Sequence, residues 1–134
     1  MSGYLLDTTV IVDFAHGNDV GRQILRRLFA ETSALYTCDV VTCEALSLGD
    51  IEEITAVAAL LQALEFVALS PDGAAWAGHR RREMIESGRC KPSTTDALIA
   101  ALAHGLSATV VTRNAKDFAA FDVPVLGYGE PGSG

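Results

Sequence analysis

At 134 residues, a net charge of −7 and 49% apolar composition, the chain has room for one domain with a real core and lacks the positive surplus of a general nucleic-acid coat. Acidity does not exclude a nuclease, because a site that gathers carboxylates for metal ions is acidic until the cations arrive. No apolar run approaches the roughly 18 residues that a membrane span needs, and Met1-Ser2-Gly3-Tyr4 lacks the basic start of a secretion signal, so a cytoplasmic protein is expected. Cys38, Cys43 and Cys90 are odd in number and none sits in a C-x-x-C pair; they read as small core or surface residues rather than a disulfide framework or a zinc site.

Short apolar runs bounded by turn residues predict strands at 4–6, 35–37, 66–69, 109–111 and 125–126. Between them, Val20, Ile24, Leu25, Leu28 and Phe29 form one helical apolar stripe opposite Arg22, Arg26 and Arg27. A second stripe comprises Ile51, Ile54, Val57, Ala58, Leu61 and Leu64. A more polar helix is expected over 71–86, ended by Gly88. Residues 97–106 are apolar almost throughout, which predicts a helix buried against the sheet. Strands separated by helices point to an α/β fold with a central, mostly parallel sheet covered on both faces. One domain is expected over 1–126, with a Gly-, Pro- and Ser-rich tail over 127–134 expected to be disordered.

The acids stand next to apolar elements. Asp7 follows the first predicted strand, Asp96 begins the most apolar helix, Asp117 follows the strand at 109–111, and Glu44 lies in Val40-Val41-Thr42-Cys43-Glu44-Ala45-Leu46. Each has an ordinary explanation. Ser93 with Asp96 is a capping-box spacing, Asn114 with Asp117 a looser one, Asp7 suits a helix cap and Glu44 a wet helix face. In an open parallel sheet, however, groups just past the carboxyl ends of the strands share one edge. Four carboxylates gathered there would repel, and a divalent cation relieves that repulsion; oxygen-only ligands favour Mg²⁺ or Mn²⁺ over zinc.

The order Leu6-Asp7-Thr8-Thr9, then Glu44, then Asp96-Ala97-Leu98-Ile99-Ala100-Ala101, then Thr112-Arg113-Asn114-Ala115-Lys116-Asp117-Phe118 resembles PIN-domain proteins, specifically VapC-type toxins, over about residues 3–126. The resemblance implies a three-layer α/β/α sandwich and an acidic site holding one or two Mg²⁺ or Mn²⁺ ions. It also implies endoribonuclease activity, a homodimer, and inhibition by a small antitoxin partner. Asp7, Glu44 and Asp96 fall on the family's three most dependable acids. For the fourth place Asp117 is preferred over Asn114, and the Thr112 hydroxyl is a candidate to orient a ligand or water. Asp7 and Asp96 are then the expected direct ligands, with Glu44 and Asp117 completing the cage.

Arg80, Arg81, Arg82 and Arg113 are candidates to guide an RNA backbone into the acidic cleft, against the plainer reading of solvated helix faces. His16, His79 and His104 lie outside the matched motifs and are assigned no catalytic part. The stripe over 51–64 serves either core packing or the docking of an antitoxin segment. Two rival functions stay in view. An aspartyl-phosphate phosphatase would need a second Asp where Thr9 stands; a catalytically silent PIN-like module would bind RNA or protein without cutting it.

Overall fold

The computed structural model describes residues 3–31 and 34–129. In chain order the elements are β1 (Tyr4–Leu6), α1 (Thr8–Ala15), α2 (Asp19–Glu31), β2 (Leu35–Cys38), α3 (Asp39–Ala45), α4 (Ile51–Gln62), β3 (Glu65–Val67), α5 (Pro71–Glu86), α6 (Thr94–Leu106), β4 (Thr109–Thr112), α7 (Lys116–Ala119) and β5 (Val125–Gly127). The strands form one sheet in the order β3-β2-β1-β4-β5, and every neighbouring pair is parallel. The chain steps outward from β1 through β2 to β3, then crosses back to β4 and β5. Right-handed crossovers place α1 to α4 on one face and α5 to α7 on the other. Helix contacts divide accordingly, α1 meeting α2, α3 and α4, and α6 meeting α5 and α7; α3 also touches α6, which brings the helix of Glu44 toward that of Asp96.

The central strands are apolar on both sides because both faces are covered: Leu5, Leu6, Val110 and Val111 are fully buried. Helix α6 is buried as its composition predicts, with Ala97, Ile99, Ala100, Ala101, Leu102 and Ala103 in the core. Its alanines let it approach closely. Helix α5 has the predicted bounds: the Ser70 hydroxyl accepts from the Gly73 N–H at 3.0 Å, and Gly88, at φ +73°, follows the last turn.

The structure departs from the sequence reading at four places. Strand β3 ends at Val67 rather than Leu69: it lies at the sheet edge, leaves Phe66 exposed, and Leu69 turns away to pack on the core. In α2 only Ile24, Leu25 and Leu28 of the stripe turn inward, while Val20 and Phe29 stay exposed. In α4 the inward residues are Val57 and Leu60, whereas Ile51 is 76% exposed. A capping box between Asp50 and Glu53 starts that helix at the surface, so its first turn carries Ile51 clear of the sheet. Finally, Gly127 belongs to β5, and the Tyr128 hydroxyl donates to Asp13 at 2.6 Å, so these residues of the expected tail are held by the fold; residues 130–134 lie outside the described ones. Among the described residues no helix is long and apolar enough to cross a membrane.

Helices α1 and α2 meet at Gly21, where an added Cβ would sit 2.8 Å from the Asp13 Cβ. On propensity alone a helical Gly→Ala gains about 1 kcal/mol. Here the contact reverses the sign: Gly21→Ala should lower the stability to urea by about 1–3 kcal/mol, the usual cost of overpacking. A stabilised variant would show that α1 and α2 are less closely apposed.

Candidate metal centre

The direction of chain travel reverses between β1 and β4; Asp7 directly follows β1 and Thr112 ends β4. Ligands of open parallel sheets bind in the crevice beyond such a point. Asp7 occupies the N-cap position of α1, yet its carboxylate makes no cap bond. Oδ2 instead accepts the Thr112 hydroxyl at 2.7 Å and the Thr9 hydroxyl at 3.0 Å. Asp7 is only 5% exposed. Burial pushes its carboxyl above the usual range, the hydroxyls of Thr112 and Thr9 and the Thr8 N–H pull it back, and the Glu44 carboxylate adds to the rise.

Asp96 lies in the first turn of α6, whose start is fixed by the Ser93 hydroxyl accepting from the Asp96 N–H at 3.0 Å. Its carboxyl is raised to about 6, first by burial and then by repulsion from Asp7, with Asp117 and Glu44 adding to the rise and Ser93 opposing it. Asp96 therefore feels three other acids, Asp7 ahead of α1, Glu44 on α3 and Asp117 on α7, and Asp7 also feels Glu44. Glu44 is exposed and accepts the Thr8 hydroxyl at 2.6 Å. Asp117 is exposed on α7, which has no side-chain cap, so neither it nor Asn114 is spent on capping. The Asn114 N–H donates to the Thr112 hydroxyl at 3.0 Å.

Among the described residues, no three His, Cys, Asp or Glu side chains are already grouped to hold a metal ion. The donor set nonetheless suits Mg²⁺ or Mn²⁺, since only oxygen atoms converge here and their mutual repulsion is the kind that a hard cation relieves. Closing a cage would fall to the exposed side chains of Glu44 and Asp117.

The arginines have definite partners. Arg80 donates to the Ala120 carbonyl and to Asp122, both at 3.1 Å, and lies over the Trp76 ring. Arg81 holds the Pro92 carbonyl at 2.8 Å, bracing the segment that leads into α6. Arg82 pairs with Glu86 one turn on. Arg113 donates to Asp13 at 2.7 Å. His16 pairs with Glu53, and His104 stacks on Trp76 at 4.6 Å.

Sequence reasoning missed Thr8, Asp13 and Tyr128, and weighed Thr9 only as a missing Asp. Asp13 left a signal, a charge set among apolar residues in Val10-Ile11-Val12-Asp13-Phe14. Tyr128 was hidden by its glycine-rich surroundings.

A family model described as the PIN domain matches residues 4–124. Among solved structures, VapBC2 from Rickettsia felis bound to a DNA fragment from its promoter aligns with TM-score 0.79 at 23% identity, covering 94% of this chain and 98% of that one. FitAcB from Neisseria gonorrhoeae aligns at 0.74 and 26%, covering 92% and 96%. Mycobacterium tuberculosis VapC20, a sarcin–ricin loop cleaving toxin, aligns at 0.62 and 16%, covering 81% and 87%. No curated protein matches the chain by sequence.

The burial of Asp96 and its repulsion by neighbouring acids carry a stability signature. Its folded carboxyl titrates at about 6 against an ordinary 3.8, so the folded state holds the proton more tightly than the unfolded one. Stability is then lost as pH rises between those values and stays lost above them. Without metal, Asp96→Asn should unfold at a higher temperature than wild type at pH 7.5, and this gap should close towards pH 4. An Asp96→Asn variant that is less stable than wild type at pH 7.5 would contradict a carboxyl raised by burial and repulsion.

Proposed function

The chain belongs to the PIN domain family, and from that premise we propose that it is a Mg²⁺- or Mn²⁺-dependent endoribonuclease, the toxin of a toxin–antitoxin pair. The observation that carries this reading is Asp96, whose carboxyl is raised first by burial and then by three other acids, Asp7 ahead of α1, Asp117 on α7 and Glu44 on α3. Repulsion of that kind costs folding energy, and it is explained if the acids share a cation. The fold is that of VapC-type toxins, and a neighbour described as a sarcin–ricin loop cleaving toxin supports RNA as the substrate class.

Asp7 and Asp96 serve as the direct ligands, with Glu44 and Asp117 completing the set and Asn114 the alternative in the fourth place. A divalent ion held there supplies positive charge to the phosphate and makes water a stronger nucleophile near neutral pH. The rest falls to the chain's own groups. Thr9 and Thr112 keep the Asp7 carboxylate from rotating away by donating to one of its oxygens. With a carboxyl at about 6, Asp96 is largely ionised at neutral pH. Backbone guidance is assigned to Arg80, Arg81, Arg82 and Arg113, each of which also holds a partner in the fold, together with the exposed Lys116, Arg89 and Lys91.

The antitoxin reading rests on apolar surface near the acids. Leu48 is 84% exposed beside a 570 Å³ cavity that Thr8 and Glu44 also line. A second groove of 530 Å³, lined by Phe14, Leu25, Phe29 and Leu60, runs between α2 and α4, with Arg22 and Arg26 at its rim. The stripe over 51–64 thus divides, with Val57 and Leu64 in the core and Ile51 left for a partner. A homodimer belongs to the same reading, and Phe66 and Ile85 are exposed apolar side chains that a second copy would cover.

Cleavage of total cellular RNA by the isolated chain, in Mg²⁺, Mn²⁺ or EDTA, tests the reading. Wild type should cut with either ion and not with EDTA. Asp7→Asn and Asp96→Asn should each lose at least about 100-fold, the upper range for an outer-shell change and the least expected of a direct ligand. Intact RNA with both ions, from folded protein at high concentration, would put the silent module ahead.

A further inference from the structure

Asp13 has no part in the chemistry just described, yet it is a carboxylate 5% exposed at the heart of α1. Its Oδ1 accepts from Arg113 Nη1 at 2.7 Å and its Oδ2 from the Tyr128 hydroxyl at 2.6 Å. Burial and the bond to Asp13 push the Tyr128 phenol well above its ordinary range, so it stays a donor at any physiological pH. The residues that clamp Asp13 come from the loop after β4 and from just beyond β5, about a hundred positions away in each case.

The clamp reaches the metal centre through two backbone N–H groups. Arg113 N–H donates to the Thr9 hydroxyl at 3.1 Å, and the Thr9 hydroxyl donates to Asp7 Oδ2 at 3.0 Å. Asn114 N–H donates to the Thr112 hydroxyl at 3.0 Å, and Thr112 donates to the same Asp7 oxygen at 2.7 Å. The Asn114 carbonyl then accepts from the Asp117 N–H at 3.0 Å, setting the start of α7. The C-terminal residues close over this loop: Tyr128 N–H donates to the Thr112 carbonyl at 3.2 Å, and a Cβ on Gly127 would come within 3.0 Å of the Ala115 Cβ. One loop therefore orients Asp7 through two hydroxyls and presents Asp117, and its own position depends on Asp13.

We propose that Asp13, Arg113 and Tyr128 are positioning residues of the metal centre, holding the loop at 113–117 so that Asp7 and Asp117 are set for the ion together. The proposal rests on the reading of this site as a metal-dependent nuclease. It assigns Arg113 to the site's architecture as well as to the substrate, and it makes the residue after β5 a working part of the enzyme. Partners that orient metal ligands typically carry about 10–100-fold of metal affinity or activity.

The test uses the full chain as wild type, Tyr128→Phe and Asp13→Asn, with Arg113→Ala and Arg113→Lys as a pair. Mn²⁺ alone is titrated by calorimetry, the spin-resonance spectrum of bound Mn²⁺ is recorded, and RNA cleavage is resolved into kcat and KM. Folded Tyr128→Phe and Asp13→Asn should bind Mn²⁺ about 10–100-fold more weakly, with an altered spectrum and a lower kcat at unchanged KM. Arg113→Lys should recover part of what Arg113→Ala loses. Should Asp13→Asn fail to fold, Tyr128→Phe, which removes one hydroxyl, decides alone. Variants that melt earlier but bind Mn²⁺ and cut RNA as wild type does would overturn the proposal and leave the clamp purely structural. A wild type that takes up no Mn²⁺ would overturn the nuclease reading itself, and the proposal with it.

Discussion

Two hydroxyls donate to one oxygen of Asp7, one from the turn after β1 and one from the end of β4, and the working edge of the sheet is organised around that contact. A carboxylate removed from water needs such donors, because burying it unpaired costs several kcal/mol. Asp7 finds them where the strand order reverses, so the same bonds that pay for its burial also tie β1 to β4. The hydroxyls in turn receive backbone N–H groups from residues 113 and 114, which makes the loop after β4 part of the support for a residue at the start of the chain.

Around Asp7 the chain has gathered charge of one sign. Its arginines do not relieve it: Arg80 is engaged with Ala120 and Asp122, Arg81 with Pro92, and Arg113 with Asp13. Helix geometry explains how the acids were brought together without contact in sequence. Asp96 is presented by the first turn of a helix driven against the sheet by its alanines, and Glu44 by a short helix that touches that one. Core packing thus forces an arrangement that electrostatics opposes. Such conflict between levels is expected at functional or strained sites.

Legibility followed the strength of the local signal. Helices α5 and α6 could be read because a Ser cap, a Pro at the first turn and a long apolar run act through neighbouring residues. The central strands could be read because burial on both faces demands continuous apolar runs. Strand β3 was misplaced because Phe66, Val67, Ala68 and Leu69 form one run, and only the ladder with β2 decides which of them pair. The stripes of α2 and α4 were each partly right, since periodicity gives a helix an apolar side but not the extent to which neighbours cover it.

The sequence by itself determined the α/β alternation, the candidate acids and the family resemblance, because all three are carried by residue type and order along the chain. The tertiary structure alone decided that Asp7 is held by hydroxyls instead of capping its helix, that Arg80 and Arg113 are paired with partners distant in sequence, and that Tyr128 is joined to Asp13. Apart from the Thr9–Asp7 bond, which links residues two positions apart, these contacts span from 40 to 115 positions, and nothing local specifies them. They arise only once the parallel sheet sets β1, β4 and β5 side by side, because hydrogen bonds act over about 3 Å and leave no periodicity to read.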